Sequence, residues 1–261
     1  MGIVNAIILG VTQGVTEFLP ISSSGHLVLI GKFIKIPTSA SFVVFLHAGS
    51  LLAILLYFYK DIKKIALSLI FYKNKSLHNA RRLFAFIVLG TFPIALIGGI
   101  WEQKIEAVFQ NTFFLSFAFF FTGVLLFFSE RFPYRKIKYI QYRRAFIIGI
   151  AQAFALLPGI SRSGITISAG LFLGIKRKES FRFAFLLVIP AILGALIKTG
   201  SVREFLVGPE EVIAFLFAFL SGCASLVLLK KVISLRKLAY FSFYLWGISL
   251  FTLFLALRHF Q

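Results

Sequence analysis

Six stretches of this chain, at about 40–59, 83–100, 112–128, 181–198, 211–229 and 239–257, are apolar over lengths that cross about 30 Å of hydrocarbon as helices. Nothing else in the sequence narrows the choice of fold as much. A soluble core has no room for so much grease: 59% of the 261 residues are hydrophobic, 34 are Phe, and only 14% are charged, against about 25% charged in soluble domains. The sequence therefore predicts an all-α, polytopic integral membrane protein forming a single domain over 1–261.

Two further apolar stretches, about 3–35 and 145–175, do not read as plain spans. Each divides into two short helices around a knot of Pro, Gly and hydroxyl residues, "PISSSGH" at 20–26 and "PGISRSGIT" at 158–166. Halves this short suit re-entrant hairpins, whose broken backbone is tolerated at membrane depth only where protein or a cavity surrounds it. The basic residues test this layout. With six spans and two hairpins, twenty Lys and Arg fall in the loops 60–82, 129–144, 176–178 and 230–238, and six fall on the opposite side. Treating 145–175 as a full span throws the later loops out of phase. The positive-inside rule makes the heavy side cytoplasmic and opens the first hairpin outward.

The net charge of +19 is thus a property of loops held at an anionic membrane surface. It does not indicate nucleic-acid binding. The start "MGIVNAIILG" lacks the basic region of a cleavable signal peptide, and Ala6 stands where a myristoylation signal needs Ser or Thr. One cysteine, Cys223, excludes an intrachain disulfide and a cysteine metal cluster. It sits in an apolar helix and reads as packing.

The two broken stretches match at an offset of 139. Gly10, Gln13, Ile21, Ser22, Ser24, Gly25 and Gly31 pair with Gly149, Gln152, Ile160, Ser161, Ser163, Gly164 and Gly170. With the opposite orientation of the hairpins, this predicts inverted repeats, approximately 1–128 and 140–257, whose broken helices meet near the midplane, as in transporter sites.

The polar residues in these stretches are few and costly to place in a membrane. Glu17 is the carboxylate set deep in apolar sequence, with Gln13 one helical turn before it. Arg162 is the basic residue in the middle of an apolar segment. A bare Glu17–Arg162 ion pair would pin the hairpins together but leaves the hydroxyls Ser22, Ser23, Ser24, Ser161, Ser163 and Thr166 unexplained. Those could serve as ordinary helix N-caps. Two hydroxyl-rich helix starts facing each other, with an arginine fork between them, would also hold a phosphate or diphosphate. His26 follows the first serine run and is a candidate base or nucleophile. His47 reads as structural or supporting, and His78 and His259 receive no role.

The segments "QGVTEFLPISSSGH", "PGISRSGIT" and "LHAGSLLA" resemble the bacterial undecaprenyl-diphosphate phosphatases, the bacitracin-resistance family. The likeness extends over the length of the chain and the repeat. It implies hydrolysis of undecaprenyl diphosphate to undecaprenyl phosphate and inorganic phosphate, which recycles the lipid carrier of cell-wall synthesis at the bacterial cytoplasmic membrane, with the site facing outward. By motif it implies Glu17 as the essential glutamate and Gln13 at the family's Glu/Gln position. Ser22, Ser23 and His26 match the first catalytic segment, and Ser161, Arg162, Ser163 and Thr166 the second. It further implies a divalent cation, Mg²⁺ in most members, with Glu17 and Gln13 as ligand positions. Gln13 stands where many members have a second Glu, which removes one anionic ligand, so the substrate's own phosphates would supply much of the coordination.

Ser23 is the first choice of nucleophile, with Glu17 or His26 as its base. Direct attack by His26 is the rival. A transporter or flippase of a phosphorylated polyprenyl lipid is the alternative class. The other membrane lipid-phosphatase superfamily needs a His and an Asp after its second arginine motif; after Arg162 no histidine occurs until His259, and the one aspartate is Asp61.

Overall fold

The computed structural model describes residues 2–34, 40–100, 108, 111–132, 137, 140–200 and 208–258. The described residues form eleven α-helices: α1 (Ile3–Phe18), α2 (Ser23–Phe33), α3 (Ala40–Tyr57), α4 (Tyr59–Ile70), α5 (His78–Ile100), α6 (Thr112–Arg131), α7 (Tyr142–Ala153), α8 (Arg162–Phe172), α9 (Arg177–Thr199), α10 (Pro209–Ser234) and α11 (Ala239–Arg258). Five of them, α5, α6, α9, α10 and α11, are each long and apolar enough to cross a bilayer. The bent pair α3–α4, turned by 78° at its break, makes a sixth if it counts as one span. The protein is an all-α, multi-pass membrane protein. Its lipid-facing surface is studded with exposed Phe, Leu and Ile, such as Phe92, Phe117, Leu220 and Leu250.

One expectation is corrected here. The stretch 60–82 is not all loop. Residues 59–70 form α4, whose lysines lie on one face and whose apolar residues Ile62 and Ile65 pack against the core. Asp61 on α4 takes a 2.7 Å ion pair from Arg182 at the start of α9. The sequence shows the basic count of this stretch, but a short amphipathic helix lying beside a span carries no run long enough to separate it from loop.

Small residues bring the helices together. α1 packs along α10 and α7 along α5. A Cβ at Gly10 or Gly14 would run into the backbone of α10 at Ala214 and Ala218, and one at Gly149 into the Gly90 carbonyl. Without a hydrophobic force between helices in lipid, such close backbone approach is what dispersion attraction can use.

Each broken stretch is two short helices, α1–α2 and α7–α8, joined at its knot. Ile137, just before α7, bonds Gly174 O at 2.9 Å, and Lys176 N returns to Ile137 O at 3.0 Å. Both ends of the α7–α8 hairpin therefore lie together, beside the C-terminal end of α6, where Glu130 pairs with Arg177 at 2.5 Å. At the other end of α6, Lys32 near the end of α2 donates to Thr112 Oγ1 at 2.6 Å. A helix of 20 residues is about 30 Å long, so the hairpins end at opposite ends of α6.

Candidate active site

The two knots meet in the protein interior. Ser163 Oγ reaches Leu19 O at 3.4 Å, and a Cβ at Gly164 would lie 3.4 Å from Pro20 Cβ. In each knot the serine after the break caps the helix that follows. Ser22 Oγ accepts from Gly25 N at 3.4 Å and Ser161 Oγ from Gly164 N at 3.1 Å. Ordinary N-capping is thus real for these two residues. It leaves the other hydroxyls for other work.

Ser22 has φ 72° and ψ 101°, a left-handed conformation that a side chain rarely adopts and that costs about 1–3 kcal/mol. The turn has a consequence one residue later: it points Ser23 back toward α1, where Ser23 Oγ donates to Glu17 Oε2 at 2.5 Å. The same oxygen receives Gln13 Nε2 at 3.2 Å and faces His47 Nε2 at 3.3 Å. Gln13 Nε2 also reaches Ser50 Oγ at 3.3 Å. Gln13, Glu17, Ser23 and Ser50 are all buried.

His47 is the residue that sequence reasoning undervalued. Its Nδ1 donates to Val43 O at 2.7 Å. Its Nε2 faces the Glu17 carboxylate at 3.3 Å. The proposed alternative of a Glu17–Arg162 ion pair is not what the structure holds: among the described residues the ionic partner of Glu17 is His47. The signal available was "LHAGS" at 46–50, which places His47 and Ser50 three residues apart on one helix face.

Arg162 opens α8. Its Nε and Nη1 are buried without a hydrogen-bond partner among the described residues, and its charge acts on the Glu17 carboxylate. Ser161 and Ser163 share a 3.1 Å hydroxyl contact. Thr166 Oγ1 turns back onto its own helix, donating to Arg162 O at 2.7 Å. Of the predicted residues it is the one whose hydroxyl proton goes to its own backbone. Ser24, half-exposed, lies 3.4 Å from Ser22 Oγ. His26 stands apart from the carboxylate: its Nδ1 donates to Ser22 O at 2.8 Å and its Nε2 meets Tyr244 Oη at 2.6 Å.

This constellation can be set beside known proteins. The family described as "Bacitracin resistance protein BacA" matches residues 6–251, nearly the whole chain. The chain belongs to the bacitracin resistance protein family. Its curated relatives include an "Undecaprenyl-diphosphatase" of Methanococcus vannielii, 37% identical over 95% of this chain and 98% of the relative. Another, of Syntrophotalea carbinolica, is 40% identical over 94% and 96%. A third, of Thermosipho africanus, is 41% identical over 92% and 95%. Family membership over this length covers both knots, so the Glu17–Ser23 pair and Arg162 belong to the matched region.

Proposed function

We infer that this protein is a membrane phosphatase that hydrolyses undecaprenyl diphosphate to undecaprenyl phosphate and inorganic phosphate. It thereby recycles a lipid carrier and confers bacitracin resistance. Full-length likeness to proteins of that name supports the reaction. The observation that carries it chemically is the 2.5 Å Ser23–Glu17 bond beside the unpartnered nitrogens of Arg162: a hydroxyl with its base in place, and a guanidinium with donors to spare.

In the proposed chemistry Glu17 takes the proton of Ser23 as Oγ bonds the terminal phosphorus. The bridging P–O bond breaks with its electron pair, and undecaprenyl phosphate leaves. Glu17 gives that proton to the departing phosphate, takes another from the water that attacks the phosphoserine, and returns it to Ser23 Oγ as the P–O bond to serine breaks and inorganic phosphate is freed. Arg162 meets the charge on the equatorial oxygens, where a preorganised donor is worth most. The hydroxyls of Ser24 and Ser163 supply further contacts to phosphate, while Ser22, Ser161 and Thr166 hold the backbone of the two helix starts. His26, with both ring nitrogens engaged, supports the knot and leaves the attack to Ser23.

Among the described residues no group of three His, Cys, Asp or Glu side chains could hold a metal ion. A divalent cation such as Mg²⁺ still fits here in a sparser way. Gln13 Oε1 is buried without a partner, next to Glu17, and Mg²⁺ commonly uses one or two protein oxygens with water and substrate phosphate. When bound, the cation neutralises charge on the diphosphate.

The hairpins at opposite ends of α6, and the glycines Gly10 and Gly149 in matching helix seams, support the inverted-repeat reading of 1–128 and 140–257. The basic loops support placement in the cytoplasmic membrane with the site facing outward. Cysteines at positions 75 and 104, in a Cys223-free protein, should label from opposite sides of that membrane.

Apposed knots of this kind also suit a carrier of phosphorylated lipid. The two readings separate in detergent, where sidedness is gone. Purified protein given undecaprenyl diphosphate and Mg²⁺ should release inorganic phosphate and should stop when a chelator is added. No release under any cation would overturn the phosphatase.

A further inference from the structure

Tyr244 on α11 comes 218 residues after His26 in sequence, yet its Oη lies 2.6 Å from His26 Nε2. The two rings are nearly parallel, 12° apart with centroids at 5.7 Å, and Phe119 of α6 meets the His26 ring edge-on at 5.4 Å. A Cβ at Gly25 would collide with Phe119, so that ring is pressed close against the start of α2. His26 is boxed from two helices.

The hydrogen bonding fixes which nitrogen carries the proton. Ser22 O can only accept, so Nδ1 donates to it. A neutral imidazole then has one lone pair left, on Nε2, and the Tyr244 hydroxyl donates into it. Every polar atom of the ring is used. The chain of contacts runs Tyr244 O–H to His26, His26 N–H to the Ser22 carbonyl, and from the left-handed Ser22 turn to Ser23, whose hydroxyl meets Glu17.

We propose that Tyr244 is a positioning residue for the phosphatase reaction: by occupying His26 Nε2 it locks the Nδ1–H form that braces Ser22, and so holds Ser23 in line with its base. The proposal rests on the assignment of Ser23 and Glu17 above. Without the tyrosine proton, His26 can place its hydrogen on either nitrogen or turn its ring over. The carbonyl of the strained residue then loses its brace. Tyr244 acts through His26 and has no contact with the reacting atoms.

The test is Tyr244→Phe, which keeps the stacked ring and removes the donor, in both the wild-type and the His26→Gln protein. The turnover number for undecaprenyl diphosphate in detergent should fall roughly 10- to 100-fold, the scale of a small misplacement of a reacting group, with KM within about twofold. In the His26→Gln background the same change should cost nothing further. Equal losses in the two backgrounds, a loss confined to KM, or full activity of Tyr244→Phe would each overturn the proposal.

A second readout does not depend on turnover. In protein with ¹⁵N-labelled histidine, the His26 signal, assigned by its loss in His26→Gln, should show a proton on Nδ1 and a hydrogen-bonded Nε2. It should change on Tyr244→Phe while the His47 signal stays fixed. An unchanged His26 signal would refute the lock even if the protein hydrolysed no diphosphate at all, a result that would count against the proposed activity alone.

Discussion

Ser23 Oγ lies 2.5 Å from Glu17 Oε2 across a break that contains Pro20 and the left-handed Ser22. A continuous helix could not make this bond, because residues six apart lie far apart on a helical surface. The break folds a serine back onto a carboxylate of the preceding helix.

Glu17→Gln keeps the shape of the side chain and its capacity to hydrogen-bond but removes the charge. Turnover should fall by at least about 100-fold, in the range of a lost general base, and the Mg²⁺ concentration needed for half-maximal rate should rise. A slow enzyme with unchanged metal dependence would make Glu17 a base alone.

Arg162→Lys should insert and fold, yet lose roughly 100-fold in turnover, the size of effect seen on removing an oxyanion donor. A point charge cannot replace the planar fork on two phosphate oxygens. Phosphate release with folding checked by gel filtration measures it. A fully active Lys variant would show that only charge is needed.

His47→Gln removes the ionic partner that Glu17 has in the structure. A hydrogen bond to a charged group contributes about 1.5–3 kcal/mol to stability, so the unfolding temperature in detergent should fall, and turnover should fall with it as the carboxylate loses its brace. Normal turnover would make the His47–Glu17 contact incidental.

Gly149→Ala places a methyl against the Gly90 carbonyl, where α7 and α5 touch. Overpacking of this kind costs about 1–3 kcal/mol. A lower unfolding temperature in detergent checks it, and Gly99→Ala, which meets nothing nearby, is the control expected to stay at the wild-type temperature.

Much of the fold was legible because bilayer thickness sets a length that the apolar runs α5, α6, α9, α10 and α11 meet. The knots were legible too, since Pro and hydroxyls inside apolar sequence need a reason. What escaped was pairing between distant elements. His47 in α3 and Tyr244 in α11 sit in apolar helices where one polar residue can face lipid, core or site with equal ease in sequence. Only packing decides. The short helix α4 escaped for a different reason: lysines on one face read as a loop when the opposite face is too short to count as a span. Charge alone makes a bare Glu17–Arg162 pair one alternative reading of the sequence, whereas the structure sets His47 Nε2 3.3 Å from the carboxylate.

The central claim is that Ser23, activated by Glu17, attacks the terminal phosphorus. The direct measurement is the initial rate of inorganic phosphate release from undecaprenyl diphosphate, in detergent with Mg²⁺, by purified Ser23→Ala beside the wild type. Loss of the nucleophile should lower the rate at least about 1,000-fold, as removal of a central group of a catalytic unit does, while the variant elutes and unfolds like the parent. A Ser23→Ala protein that releases phosphate within a few-fold of the wild-type rate would contradict the account and return the attack to His26.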